Sequence, residues 1–151
     1  MSRQTTMYNA FTGMSPLEKN ALVDFLCENT GGASRRDVQE ALDYALKRKP
    51  SFGGFIITVS ENKRLVGAIV VNQTGMEGYN PNNICVYIAI AKHCAQQEAV
   101  LQQLMHKAIN HAQGDIAMHV EPDHPALPLY KNMGFRAQYL ELRLDKGRAI
   151  A

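Results

Sequence analysis

Apolar and polar positions follow two alternating periods along the chain, and the points where the period changes mark its elements. Leu17, Ala21, Leu22, Phe25 and Leu26 recur at helical spacing. Ser15-Pro16-Leu17-Glu18 gives that helix a start, with serine as cap, proline at the first helical position and glutamate closing a capping box. Gly31-Gly32 ends it. Val38, Ala41, Leu42, Ala45 and Leu46 repeat the spacing after Ser34 and predict a second helix that Pro50 stops. Phe52–Ser60 and Leu65–Asn72 read as the strands of a hairpin joined by Glu61-Asn62-Lys63-Arg64. Ile84–Ala91, the most continuous β-branched run, predicts a central strand. A helix from about Gln96 to Ala112 turns Val100, Leu101, Leu104, Met105, Ala108 and Ile109 inward. Ile116–Val120 then reads as a short strand. Phe135–Leu144 reads as a last one, with Tyr139, Leu140, Leu142 and Leu144 carrying the alternation. Near the N-terminus, Tyr8 to Phe11 marks the beginning of an edge strand.

Composition narrows the class. A chain of 151 residues, 46% hydrophobic and 20% charged, suits one globular domain spanning 1–151 and argues against disorder. A net charge of +2 does not call for nucleic acid, and the Lys47-Arg48-Lys49 triplet is expected in the last turn of the second helix, where cations favour the dipole. The run Gly67–Val71 is too short to span a bilayer, and the first residues form no apolar leader, so a cytoplasmic, membrane-free protein is expected. Three cysteines in no C-x-x-C spacing argue against a disulfide framework; Cys27 and Cys85 sit in apolar patterns and are expected in the core. The five histidines form no H-x-x-H pair, so no metal site is expected. Cys94 beside His93 is adjacency, not reaction geometry.

The stretch Asp123-His124-Pro125-Ala126-Leu127-Pro128-Leu129-Tyr130-Lys131-Asn132-Met133-Gly134-Phe135 organises the rest. It reads as a short helix. Asp123 stands at the cap, His124 and Pro125 in the first turn, and Gly134 past the end, where φ can be positive. The order Asp-x-x-Ala-x-x-Leu-Tyr-x-x-x-Gly-Phe resembles the C-terminal motif of the GNAT superfamily of N-acetyltransferases. The upstream element order matches that family across nearly the whole chain. The resemblance implies an α/β (α+β) fold of three layers: a central mixed, mostly antiparallel sheet flanked by helices, containing a parallel strand pair that splays apart. Here the pair would be Ile84–Ala91 and Ile116–Val120.

The resemblance also implies acetyl-CoA as co-substrate, lying between the splayed strands along Ile88, Ala89 and Ile90. Its pyrophosphate would meet the amides that open the next helix, over Gln96, Gln97, Glu98, Ala99, Val100 and Leu101. The family's usual sequence there is Arg/Gln-x-x-Gly-x-Gly/Ala, and this chain departs from it. Counted back from Leu104-Met105, Gln96 takes the first position, with Ala99 and Leu101 where glycines would stand. Counted forward from the strand, Glu98 falls on the first glycine. Leu101 is then expected to crowd the ligand and Glu98 to repel its phosphates. Tyr130 would be the general acid that protonates the leaving thiolate, a phenol with an ordinary pKa of about 10 being a suitable donor. Glu121 is the first choice as general base and His119 the second. Asp123 and Ala126 would contact the cofactor, although capping alone also accounts for Asp123.

The implied reaction is acetyl transfer to a primary amine by direct attack. The alternatives are a GNAT-shaped binding or regulatory module whose altered loop binds acyl-CoA poorly or not at all, and a structural partner in an oligomer such as a homodimer. The acceptor is open. Glu18, Asp24, Glu28, Asp37, Glu40 and Glu77 lie on the helices and loop expected to shape its site, and would suit an amine.

Overall fold

The computed structural model describes residues 3–147. The elements run β1 (Arg3–Tyr8), α1 (Pro16–Asn29), α2 (Arg35–Ala45), β2 (Gly54–Glu61), β3 (Arg64–Gln73), β4 (Asn83–Ile90), α3 (Gln97–His111), β5 (Ile116–Met118) and α4 (Leu127–Asn132). The chain divides into two compact units, the first ending at His119 and the second beginning at Val120. No helix among the described residues is long and apolar enough to cross a membrane.

The first unit is a five-stranded sheet in the order β1-β2-β3-β4-β5. Its first three pairings are antiparallel and the last, β4 with β5, is parallel. Helices cover both faces. A Cβ added at Gly67 would stand 2.7 Å from Val100 and 2.9 Å from Leu104, which puts this face of β3 against α3. Five positions on, Asn72 lies on the opposite face, its side-chain amide donating to the carbonyl of Ala41 in α2. The expected three layers and mixed sheet are present.

Local chemistry explains the boundaries. Ser15 accepts from the Glu18 N–H while Glu18 accepts from the Ser15 N–H, the reciprocal box read from the sequence. Leu22, Val23, Phe25 and Leu26 of α1 are buried; Leu17, expected in the same stripe, is exposed. Ser34 caps α2 by accepting from Asp37 N–H. That helix stops at Ala45, short of Pro50, because Lys47 takes a left-handed conformation at φ 56°. Lys47-Arg48-Lys49 therefore lies beyond the last turn rather than in it. Arg48 donates to the Met14 carbonyl and Lys49 pairs with Glu40. The hairpin turn is Asn62-Lys63, with φ values of 51° and 64°, the two positive angles that match the twist of a two-residue hairpin.

Four expectations need correction. The edge strand occupies Arg3–Tyr8, where it pairs with β2 from Glu61 to Ile56, and Asn9 beyond it closes a turn through its side chain. Strand β5 is only Ile116–Met118. Helix α4 starts at Leu127 with Ala126 at its cap, so Asp123 caps nothing and sits in the preceding turn. Phe135–Leu144 forms no strand, and Tyr139, Leu140, Leu142 and Leu144 are at least 75% exposed. The alternation there is real, but a strand needs a partner edge to satisfy its N–H and C=O groups.

Candidate active site

The parallel ladder of β4 and β5 has three rungs, Asn83↔Ile116, Ile84↔Ala117 and Cys85↔Met118. Beyond Cys85 the strand continues to Ile90 with β3 alone beside it. The result is a fork with one closed end. Side chains tie that end. Asn83, 1% exposed, donates from its amide to the carbonyls of Gln113 (2.9 Å) and Asp115 (3.2 Å). The Asn82 carbonyl oxygen of the side chain accepts from Asp115 N–H at 3.1 Å. Gly114 between them holds φ 86°, and a Cβ there would fall 2.3 Å from the Asn82 side chain.

A bulge marks the point where the fork opens. Val70 pairs with Tyr87 and Val71 with Cys85, so Val86 has no opposite number. The irregularity turns Cys85 and Tyr87 to opposite faces. Cys85 is buried without a charge partner, and desolvation pushes its thiol up to about 12. Tyr87 faces the helices α1 and α2. Burial, then the nearby charges of Asp37 and Cys27, raise its phenol above the ordinary value. Of the expected cofactor residues on β4, Ala89 is buried, while Ile88 and Ile90 are half-buried.

After β4, the Ala91 N–H extends the pairing to Val66 at 2.8 Å and the chain turns, with Cys94 N–H donating to the Ala91 carbonyl. The Gln97 side chain ties the same turn by donating to the carbonyls of Ala91 and Lys92. Helix α3 then begins with no side-chain cap on its first amides, unlike α1 and α2. Gln96, Gln97, Glu98 and Ala99 are exposed. Val100 and Leu101 are buried, so the Leu101 side chain packs inward rather than over the helix start. Glu98 remains a carboxylate in the first turn. One residue here was not foreseen: Arg3 of β1 donates to the side chains of both Gln96 and Glu61. A contact spanning ninety-three positions leaves no local signal in the sequence.

The second unit holds the remaining expected site residues. Tyr130 is 3% exposed, with the His124 and Phe135 rings at centroid distances of 6.5 and 6.1 Å. His124, not Asp123, organises the helix start: its Nδ1 accepts from Ala126 N–H at 3.0 Å. Glu121 is exposed, and its carbonyl accepts from His124 N–H. His119 is exposed at the end of the first unit. No group of three or more metal-binding side chains occurs among the described residues. Two hollows, of about 410 Å³ beside Lys107 and His111 and about 250 Å³ beside Tyr8 and Glu18, lie outside the expected site residues.

A forked mixed sheet followed by an uncapped helix defines the class, and comparison with known proteins agrees. The chain belongs to the acetyltransferase (GNAT) family, whose description matches residues 20–135. No curated protein sequence matches it. Among solved structures, the aminoglycoside N-acetyltransferase AAC(6')-Iy in complex with CoA aligns over 96% of this chain and 95% of its own, with TM-score 0.70 and 10% identity. The ribosomal-protein-S18-alanine N-acetyltransferase of Escherichia coli aligns over 90% and 80%, with TM-score 0.67 and 11% identity. A transcriptional regulator from Bacillus halodurans aligns over 94% and 99%, with TM-score 0.69 and 16% identity. At these identities the likeness is one of fold.

Proposed function

We propose that this chain transfers an acetyl group from acetyl-CoA to a primary amine by direct attack. The observation that carries the reading is the fork: β4 leaves β5 after Cys85, and the following helix presents amides that no side chain caps. Those amides and the helix dipole suit a pyrophosphate. With Leu101 buried and Ala99 small and exposed, the missing glycines leave the approach to the helix start open. A structural neighbour that binds CoA supports the same assignment.

In this reading Gln96, Gln97, Glu98 and Ala99 hold the phosphates through their backbone, and Ile88, Ala89 and Ile90 line the acyl arm. Asp123 and Ala126 complete the surround, while Val100 and Leu101 support the helix start from the core. Acetyl-CoA supplies a thioester whose carbonyl carbon the amine nitrogen attacks. A C–N bond forms and the C–S bond breaks. Glu121 accepts the proton released by the amine, with His119 as the second choice. Tyr130 gives its phenolic proton to the departing thiolate and regains one from solvent. Amides along the outer edge of Val86–Ile90 are available to the oxyanion.

A second reading, a GNAT-shaped module without activity, is favoured by the Glu98 carboxylate in the first turn of α3. Calorimetry with acetyl-CoA, beside free CoA, separates the two, using Tyr130→Phe and Glu98→Gln variants and an amine screen for thiol release. The enzyme reading expects binding that survives Tyr130→Phe, turnover that falls at least about tenfold, and tighter binding in Glu98→Gln. No binding at about millimolar ligand, with no thiol released, would leave the module.

A further inference from the structure

The hollow beside Lys107 and His111 is lined as a small binding site would be. Its floor is the sheet edge, where Met7 of β1 stands opposite Ile57 of β2. Its wall is the C-terminal part of α3, from which Lys107, Asn110 and His111 project at three- and four-residue spacing. Strand β1 is an outer strand of the sheet, so the space is open from the side. At about 410 Å³ it falls within the size range of small-molecule pockets.

Each polar group in this lining can donate a hydrogen bond. The Thr5 hydroxyl accepts from the Gln103 amide at 2.9 Å, which leaves its own hydrogen to be given away. The His111 ring is held edge to face against buried Phe55, centroids 4.6 Å apart, and carries an N–H in either protonation state. Asn110 adds an amide and Lys107 an ammonium. Among the described residues neither Lys107 nor His111 belongs to a salt bridge. No carboxylate lines the hollow. Glu61, the one acid of β1 and β2, is engaged by Arg3, and α3 has no acid after Glu98. Cations near a helix C-terminus favour the dipole, which accounts for their sign. It does not account for the apolar floor beneath them or for the Thr5 hydroxyl lining the same space.

We propose that this hollow binds a small organic anion. Its carboxylate or phosphate is held by Lys107, Asn110, His111 and Thr5, and its apolar body lies on Met7 and Ile57. Charge and floor together select the class. A bare inorganic ion would leave the floor uncovered, and a neutral apolar molecule would leave the donors unanswered. The site is separate from the fork, since Lys107 lies about 15 Å along α3 from Gln97.

Hexanoate and hexyl phosphate are the probes, with acetate and hexanol as controls that each keep one feature. Titration of the isotope-labelled full chain, followed by its amide resonances, should show saturable shifts at Thr5, Met7, Lys107, Asn110 and His111. At least one of the two anions should bind with Kd about millimolar, and the tighter of them identifies the headgroup. Acetate and hexanol should each bind at least about tenfold more weakly. Lys107→Gln and His111→Phe should each weaken the anion about three- to fivefold, the second keeping a ring against Phe55. Both side chains are exposed, and unchanged resonances away from the hollow report an intact fold. A wild-type chain with no saturable shifts below about 50 mM of either anion overturns the proposal. So does hexanol or acetate matching the anions, or binding that both variants leave unchanged. Shifts confined to the start of α3 overturn it as well, since they place the anion at the helix amides instead.

Discussion

The Phe135 N–H donates to the carbonyl of Tyr130 at 3.1 Å, and the two rings meet edge to face with centroids 6.1 Å apart. Together with Gly134 N–H donating to the Lys131 carbonyl, this is a Schellman stop with its apolar contact in place. The Leu-Tyr-x-x-x-Gly-Phe pattern is thus a physical unit. Glycine at φ 109° permits the reversal, and phenylalanine packs on the tyrosine one turn back.

Replacing Gly134 tests that unit. A Cβ there meets nothing within 4 Å, so the cost of Gly134→Ala is backbone strain alone, about 1 kcal/mol or somewhat more. Faster amide exchange at Gly134 and Phe135, with β2 and β3 unaffected, is the expected result. Unchanged exchange at both would show that the stop does not depend on glycine.

Gly67→Ala should act differently, because its Cβ would stand within 3 Å of Val100 and Leu104. Overpacking between β3 and α3 should cost about 1–3 kcal/mol in chemical denaturation. Trimming Leu104 to valine in the same chain should return part of that loss, a coupling that two distant sites would not show.

The capping box gives stability a pH dependence. Hydrogen bonds from Ser15 hold the Glu18 carboxyl below its ordinary range. A carboxyl lowered on folding contributes stability above its unfolded pKa, about 4.3, and loses it as the pH falls through the folded value. Denaturation of Glu18→Gln should therefore show a deficit at pH 7 that closes below pH ~4. Tyr8 runs the other way. Burial and the Glu18 carboxylate raise its phenol, so its contribution is present below pH ~10 and lost above it. Ultraviolet titration should find that shift reduced in Glu18→Gln.

The three thiols should separate by reactivity. Cys85, raised to about 12, and Cys94 are buried, whereas Cys27 is half-buried. Brief maleimide treatment at pH 7.5 followed by peptide mass mapping should find Cys27 modified first and Cys85 last. Early modification of Cys85 would contradict its burial.

The elements with local signals were legible in the sequence. The Ser15 box, the Ser34 cap, the hairpin, the amphipathic α3 and the Gly134 stop each follow from residues within one or two turns. What was not legible depends on distant partners. Arg3 at the start of α3, the Asn83 amide on Gln113 and Asp115, and the inward packing of Leu101 are set by tertiary neighbours. Asp123 is a good cap by residue type, yet the His124 ring takes the Ala126 amide and moves the helix start to Leu127. Phe135–Leu144 shows the opposite limit. Alternation reports which face would be buried, but it does not supply the neighbouring strand.

The three rungs between β4 and β5 set where the two strands part. Strands advance about 3.3 Å per residue, so each rung gained or lost beyond Cys85 and Met118 would move the crotch of the fork by that distance. How far the ladder runs is governed at its far end, where Asn82, Asn83 and Gly114 clamp the incoming strand. The point at which the two strands part can therefore be retuned from the back of the sheet, leaving every residue beyond Cys85 and Met118 unchanged.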